Sequence, residues 1–251
     1  MNNEISKIRL AKYLAMTGLC SRRAATRHIR DGRITLNARL ATHIDTVTLN
    51  IRENGSNLAS IDDIILFDNK IISNIEAKSY WLFHKAVGTD SRLLQDDPSS
   101  LLHLLPQSPR LYPVGRLDKD SRGLLLLTND GTLTHRLLHP NFKHKKTYQV
   151  RLDTEFDDTF LESMAKGVQY KNITTQPCII NRISKVQFEI VLTQGLNRQI
   201  RRMCQALGYR VVDLKRTSIE SLTLGPLPEG KKRELTQTEV TQLLSIITPQ
   251  K

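Results

Sequence analysis

The stretch from Gly115 to Gly131, GRLDKDSRGLLLLTNDG, carries two carboxylates, Asp118 and Asp120, just ahead of the densest apolar run in the chain, Leu124–Leu127. A carboxylate on a glycine-bounded loop between apolar strands can serve as a nucleophile or a base, provided a cation keeps it ionised where water is excluded. The plainer role for a lone aspartate in a loop is turn formation. Glycoside-type hydrolysis also uses carboxylates, but it normally takes two placed on opposite sides of a bond. His135 and His139 stand four apart on a predicted helix, a spacing that zinc sites use. The glutamate of HExxH is missing, Arg136 sits between them and no third ligand is evident, so surface or capping histidines are expected. Cys20, Cys178 and Cys204 are odd in number and far apart. They fit neither a disulfide framework nor a zinc site, and are expected as half-buried thiols in a reducing compartment. There is no Walker-type glycine loop.

Charge narrows the partner. The chain has 37 Lys and Arg against 25 Asp and Glu, a net charge of +12. Residues 1–50 hold nine Lys/Arg against Glu4, Asp31 and Asp45, and a second cluster runs through Arg198, Arg201, Arg202, Arg210, Lys215 and Arg216. Two separate basic stretches suggest two contact surfaces for a polyanion such as RNA. No run approaches the roughly 18 apolar residues of a membrane span, and MNNEISKIRLAKYL lacks the core of a secretion signal, so no membrane partner and a cytoplasmic location are expected.

The elements that would position these groups fall into two blocks. Residues 8–18 predict a helix with Leu10, Tyr13 and Leu14 on one face and Gly18 as its left-handed stop. Ser21 offers an N-cap to a second helix, SRRAATRHIRDG, with Ala25, His28 and Ile29 facing the first. Arg22 and Arg23 oppose the helix dipole, and with Arg27 and Arg30 they point to phosphate binding, against the plainer role of a solvated face. Ile34 and Leu36 start a strand, residues 50–62 read as a polar loop, and residues 64–67 form a strand leading into a turn at Asp68-Asn69-Lys70. Residues 73–79 read as a linker, which divides the chain into a module at 1–74 and a larger domain at 75–251. In the larger domain, strands are expected near 80–83, 124–128, 147–152, 178–180, 186–193 and 221–224, and helices near 132–139, 157–166, 197–208 and 236–247. Runs of strands with separated helices give an α+β class.

With these segments in view, GRLDxxSxGLLLLTND resembles the active-site motif of the RsuA/RluB/RluE/RluF family of RNA pseudouridine synthases. RLAKYLAMTGLCSRRAATRHIRDGRITLN resembles the small alpha-L RNA-binding domain of that family, also found in a small-subunit ribosomal protein. HKKTYQV, His144 to Val150, resembles the second family motif, and LTQGLNRQIRRMCQALGYRVVDLKR, Leu192 to Arg216, the third. The GLNRQIRRMC wording is closest to the RluF subgroup, which modifies large-subunit ribosomal RNA. The resemblance spans about residues 8–240.

It implies an alpha-L domain followed by a larger mixed, mainly antiparallel sheet domain, and isomerisation of a uridine in structured ribosomal RNA without cofactor or metal. 23S ribosomal RNA is the implied partner, with a transfer RNA as a second, and the protein is expected as a monomer. Asp118 becomes the essential carboxylate. Tyr148 stacks on the target base, and Arg201 pairs with Asp118, with Arg202 as runner-up. The target base must be flipped out of the folded RNA. Arg116 fills its place or grips a phosphate, and Lys85, Asn197, Arg198, Gln199 and Arg202 are expected to contact RNA in the same cleft. In the module, Lys12, Arg22 and Arg23 are the expected RNA contacts. A non-catalytic RNA-binding or assembly factor is the rival reading; it explains the basic module but not the Asp–Tyr–Arg set. The chain departs from the family in three places. The family's Asn-Lys-Pro-x-Gly is His84-Lys85-Ala86-Val87-Gly88 here, its Asn-Gly turn is Asn37-Ala38, and residues 50–60 look inserted. A changed loop at 84–92 and a turn other than type I′ at 37–38 are therefore expected.

Overall fold

A computed structural model of the chain describes residues 4–51 and 59–247. They divide into two compact units, residues 1–79 with 106–111, and residues 80–105 with 112–251. The first unit therefore extends beyond residue 74. The segment read as a linker is packed, because Ile75 lies against the first unit's core and the Glu76 N–H donates to the Met16 carbonyl at 2.9 Å.

The first unit contains strand β1 (Glu4–Arg9), helices α1 (Leu10–Met16) and α2 (Arg22–Arg30), and strands β2 (Ile34–Leu36), β3 (Arg39–Leu40), β4 (Thr46–Ile51), β5 (Ala59–Ile61), β6 (Ile65–Phe67) and β7 (Lys70–Ile71). Leu10, Tyr13 and Leu14 are buried at the i, i+3, i+4 spacing of one helix face. They meet Ala25 and Ile29 of α2 and Ile34, Leu36 and Ile65 of the strands in one core. Ser21 caps α2 by accepting from the Ala24 N–H at 3.1 Å. His28 departs from expectation: it is half-buried, and its ring meets Phe67 edge-on at 5.1 Å instead of joining the inter-helix core. The polar stretch at 50–62 is partly strand, since β4 and β5 pair antiparallel on either side of residues 52–58. The inserted look of 50–60 falls mainly on those seven positions, which lie outside the described residues.

The turn at Asn37-Ala38 corrects another expectation. Both residues take positive φ, 50° and 64°, as a type I′ turn requires. Asn37 helps to hold it there, for its side chain accepts from the Ile64 N–H at 2.9 Å and donates to Asp63 at 2.8 Å. Ala38 keeps the left-handed conformation with a Cβ, which costs about 1 kcal/mol. Ala38→Gly should therefore raise the stability of this unit by about 0.5 kcal/mol once the looser unfolded chain is counted. Urea unfolding of both proteins measures it; an unchanged or lower midpoint would mean that the turn carries no strain.

The second unit is built on one mixed sheet. Its strands are β8 (Tyr80–Lys85), β9 (Tyr112–Pro113), β10 (Arg122–Thr128), β11 (Lys146–Leu152), β12 (Gln169–Tyr170), β13 (Ile173–Thr174), β14 (Ile179–Arg182), β15 (Gln187–Leu192), β16 (Val211–Ile219), β17 (Leu222–Thr223) and β18 (Lys232–Glu234). The order across the sheet is β14-β15-β11-β16-β10-β8-β18, with β9 beside β10 and β17 beside β16, while β12 and β13 form a separate ribbon. Among the described strands of this sheet only the β10–β16 pair is parallel. Helices α3 (Gly131–Leu138), α4 (Asp158–Lys166), α5 (Gln199–Ala206) and α6 (Gln237–Ile247) supply two cores. One joins Val150, Phe188 and Ile190 to Phe160 of α4 and Met203 of α5; the other joins Leu82, Leu124 and Leu126 to Leu133 of α3 and Leu243 of α6. The four leucines of β10 are buried on both faces, so the strand is anchored where it leaves the Asp118 loop. Gly123 lets β10 approach β16, because a Cβ there would lie 2.3 Å from the Arg216 carbonyl oxygen.

Candidate active site

The Asp118 loop runs from β9 to β10 and is fixed through its backbone. Buried Ser91 accepts from the Leu117 N–H at 3.1 Å and donates to the Leu117 carbonyl at 2.7 Å. On the other side the Gly88 N–H donates to the Lys119 carbonyl at 2.8 Å, and the Ser121 N–H closes a turn on the Asp118 carbonyl at 3.0 Å. The 84–92 loop, which lacks the family proline, thus braces the aspartate. None of these bonds uses the Asp118 carboxylate, which is 29 % exposed.

The arginines of α5 meet this loop differently from the expected pairing. Arg201 forms no ion pair with Asp118 among the described residues. Its Nε lies 3.3 Å from Asp120, and its Nη2 donates to the Asp120 carbonyl at 2.7 Å and to Ser121 Oγ at 3.2 Å. The cation nearest Asp118 is Arg198, at 3.8 Å, whose guanidinium also grips Asp120 with bonds of 3.1 and 2.8 Å. The reason lies in the helix start. Arg198 is the N-cap of α5 in left-handed conformation, φ 52°, just before the helix that carries Arg201. Counting along a motif does not reveal that cap. Burial pushes the Asp120 carboxyl up, but Arg198 and Arg201 outweigh it and hold the group below the ordinary carboxylate range.

Lys85 was expected among the cleft's RNA contacts. Instead it is fully buried beneath the loop and is not part of the cleft wall, with Nζ donating to the Ser121 carbonyl at 2.6 Å and the Ala86 carbonyl at 2.9 Å. Burial pushes its ammonium down to about 8, against the pull of Asp120 and Asp118. The sign follows from linkage. Between about 8 and the ordinary value of 10.5 the unfolded chain binds a proton here that the folded chain does not, so this group's contribution to stability rises with pH. The difference in unfolding free energy between wild type and Lys85→Met should move in favour of wild type from pH 8 to pH 10.5, by at most about 3 kcal/mol. Denaturant titrations at both pH values decide it, and a constant difference would sink the idea.

Asp118 opens into a cleft of about 710 Å³, and Arg116, Tyr148, Asn197 and Arg198 also line it. Arg116 and Asn197 are exposed, as a direct role in binding needs. Gln199 borders the cleft but is only 4 % exposed, and its Oε1 accepts the Leu196 N–H at 3.1 Å, so it acts as a local cap. Arg202 is not part of the wall; its Nη2 donates to Asn197 Oδ1 at 2.9 Å. Among the wall residues that were not expected are Lys146, His144 and Arg216. Alternation would have indicated the first, since Lys146 and Tyr148 are two apart on β11 and share a face. In the first unit, Lys12, Arg22 and Arg23 are exposed, with no ion pair among the described residues. His135 and His139 touch ring to ring at 5.3 Å, and no metal-binding group of three or more His, Cys, Asp or Glu occurs among the described residues.

Comparison with known proteins decides the family. The model of the RNA pseudouridylate synthase family matches residues 79–206, and that of the S4 domain matches residues 8–46. The chain belongs to the RNA pseudouridylate synthase family. As a pseudouridine synthase it is an isomerase acting on RNA. It is 37 % identical over 244 residues to the dual-specificity RNA pseudouridine synthase RluF of Shigella flexneri, covering 96 % of this chain and 80 % of that one. It is 33 % identical to the ribosomal large subunit pseudouridine synthase B of Bacillus subtilis, over 95 % and 96 % of the two chains. A crystal structure of a pseudouridylate synthase superposes with a TM-score of 0.66 at 28 % identity, covering 94 % of this synthase and 99 % of that chain. Among the described residues no helix is long and apolar enough to cross a membrane.

Proposed function

We propose that this synthase isomerises a uridine of folded ribosomal RNA, with 23S ribosomal RNA as its principal target and a transfer RNA as a second. One observation carries this reading: likeness along nearly the whole chain to relatives named for the large ribosomal subunit and for dual specificity. The enzyme works as a cytoplasmic monomer. Asp118 breaks the bond between the ribose and the base nitrogen by attack at the ribose, attack at the base or proton removal from the ribose. Tyr148 stacks on the flipped base, and exposed Arg116 at the rim fills the vacated stack or holds the neighbouring phosphate. Arg198, Asn197 and Arg202 continue the basic path out of the cleft.

The target is tested by mapping pseudouridines in ribosomal and transfer RNA from a strain of the source organism that lacks this gene. Loss of a 23S site, restored by the wild-type gene, is the expected result; an unchanged map of ribosomal RNA would overturn the reading. Tritium release from RNA labelled at uridine carbon-5 separates the enzyme from a non-catalytic assembly factor.

The first unit is read as an RNA-binding module that holds phosphates through Arg22, Arg23 and Lys12. Replacing Arg22 and Arg23 together by Gln should weaken RNA binding and flatten its salt dependence by about one to two counterions, each lost phosphate contact contributing about 0.7–0.9 to the slope. Affinities between 50 and 300 mM salt test it; an unaltered slope would remove these residues from the RNA surface.

A further inference from the structure

The wall of the cleft carries two cations without a full partner, Arg216, which is buried, and Lys146, which is half-buried. Arg216 lies on β16 directly across from Tyr148 on β11, and Lys146 precedes Tyr148 by two residues on the same strand. All three line the cleft. Arg216 is 3 % exposed; its Nε donates to the Leu124 carbonyl at 2.7 Å, but its Nη2 is buried without an acceptor. Lys146 Nζ has one long bond, 3.2 Å, to the His144 carbonyl. Glu220, the carboxylate that pulls on Lys146, is occupied by His144 Nδ1 at 3.0 Å and the Lys145 N–H at 2.6 Å. Burial, and then the neighbouring Arg216 charge, push the Lys146 ammonium down, against the pull of Glu220. Two cations desolvated side by side without a full partner are costly unless a ligand brings negative charge to them.

We propose that Arg216 and Lys146 stabilise the negative charge that the uracil ring takes up during the isomerisation. This rests on the reading of Asp118 and Tyr148 given above and adds two groups to it. When the bond between ribose C1′ and base N1 breaks, its electron pair stays on the base and spreads from N1 over the O2 and O4 oxygens. Attack on the base itself also places a negative charge on a ring oxygen. Each way in which Asp118 can act therefore creates an anionic base; the charge is returned when carbon-5 bonds to C1′, after which the carbon-5 proton leaves to solvent and N1 takes up a proton. Tyr148 sets the base plane, and the guanidinium opposite it, with the ammonium two residues away, presents preorganised N–H donors to the ring oxygens. A phosphate grip is the lesser fit, because Arg216 sits at the bottom of the cleft rather than on its exposed rim.

The test compares wild type, Arg216→Met and Lys146→Met on two full-length substrate RNAs, one with uridine and one with 5-fluorouridine at the target position. Fluorine withdraws electrons and makes the base a better leaving group. Each variant should lose about 10²-fold in single-turnover cleavage of the C1′–N1 bond on the uridine RNA, with RNA affinity changed less than about twofold. On the 5-fluorouridine RNA the loss should shrink to about tenfold. Lys146→Met keeps the Arg216 bond to Leu124 and so covers the case in which Arg216→Met fails to fold. Equal losses on both RNAs would show a structural role and overturn the proposal. A loss of RNA affinity with a flatter salt slope would show a phosphate grip and overturn it too. A wild-type protein inactive on the uridine RNA would instead overturn the assignment of Asp118 and Tyr148 on which the proposal stands.

Discussion

Asp118→Asn should abolish pseudouridine formation while leaving the protein folded and RNA bound. The substitution keeps the shape of the side chain and removes its ionised oxygen. The bonds from Ser91, Gly88 and Ser121 that hold positions 117–119 all engage backbone atoms there and not the Asp118 carboxylate, so the asparagine inherits the same position. The ion pair it gives up is the long one, 3.8 Å to Arg198, which retains its two bonds to Asp120. Little stability is therefore at stake, whereas an amide can neither attack a ribose or a base nor accept a proton. Loss of an unaided nucleophile or base costs about 10⁴-fold or more. Tritium release under single turnover, together with RNA affinity and thermal unfolding, measures all three quantities. Turnover within tenfold of wild type would remove Asp118 from the reaction.

The second large effect is expected at Arg198 and differs in kind from that at Arg201. Arg198→Met takes the nearest cation from Asp118 and two bonds from Asp120, leaving two carboxylates two residues apart with Arg201 and the buried Lys85 to balance them. Turnover at saturating RNA should fall about 10²-fold, the usual cost of misplacing a reacting group by about 1 Å. The pH dependence has a definite sign. Asp120 is held below its ordinary value, so the contribution of its network is present above the unfolded carboxylate range and is lost as pH falls through the folded value. Without Arg198 the folded value rises, the network protonates earlier, and the acidic limb of the rate profile moves to higher pH. Arg201→Met should act mainly on the scaffold, because that side chain spends its donors on the Asp120 and Val211 carbonyls and Ser121 Oγ. It should lower the unfolding temperature more than Arg198→Met does. Rate profiles that extend below the ordinary carboxylate value of 3.8, and melting curves of both variants, decide this. A stationary limb in Arg198→Met would return the role to Arg201.

Much of this molecule is legible in its sequence, for reasons that can be located. The α1 and α2 pair is readable because Leu10, Tyr13, Leu14, Ala25 and Ile29 keep helical spacing and Ser21 marks a start. The Asp118 loop is readable because the whole string GRLDxxSxGLLLLTND resembles a family motif; alone, an aspartate in a loop reads as a turn former. The central strand β16 is not. In VVDLKRTSI the buried residues are Val211, Leu214, Arg216 and Ile219, a spacing that breaks strict alternation because the pairing with β11 shifts register in two places. A buried arginine within that segment further disguises it. Edge strand β18, Lys-Arg-Glu, hides for the opposite reason: as an exposed edge it is all charge. The Arg198–Arg201 exchange was hidden by one left-handed residue at a helix start, a detail that lies in φ rather than in residue type.

The parallel pairing of β10 with β16 also fixes when the enzyme can become an enzyme. Arg122 and Gly123, which follow Asp118, find their parallel neighbours in Lys215 and Arg216, far downstream in the chain. A nascent chain that has emerged only past β10 holds the aspartate but neither α5 nor the floor of the cleft. The S4-like segment, whose strands and helices pair within its own stretch, closes earlier because its contacts are local. During synthesis the chain therefore gains its grip on RNA before it gains its chemistry.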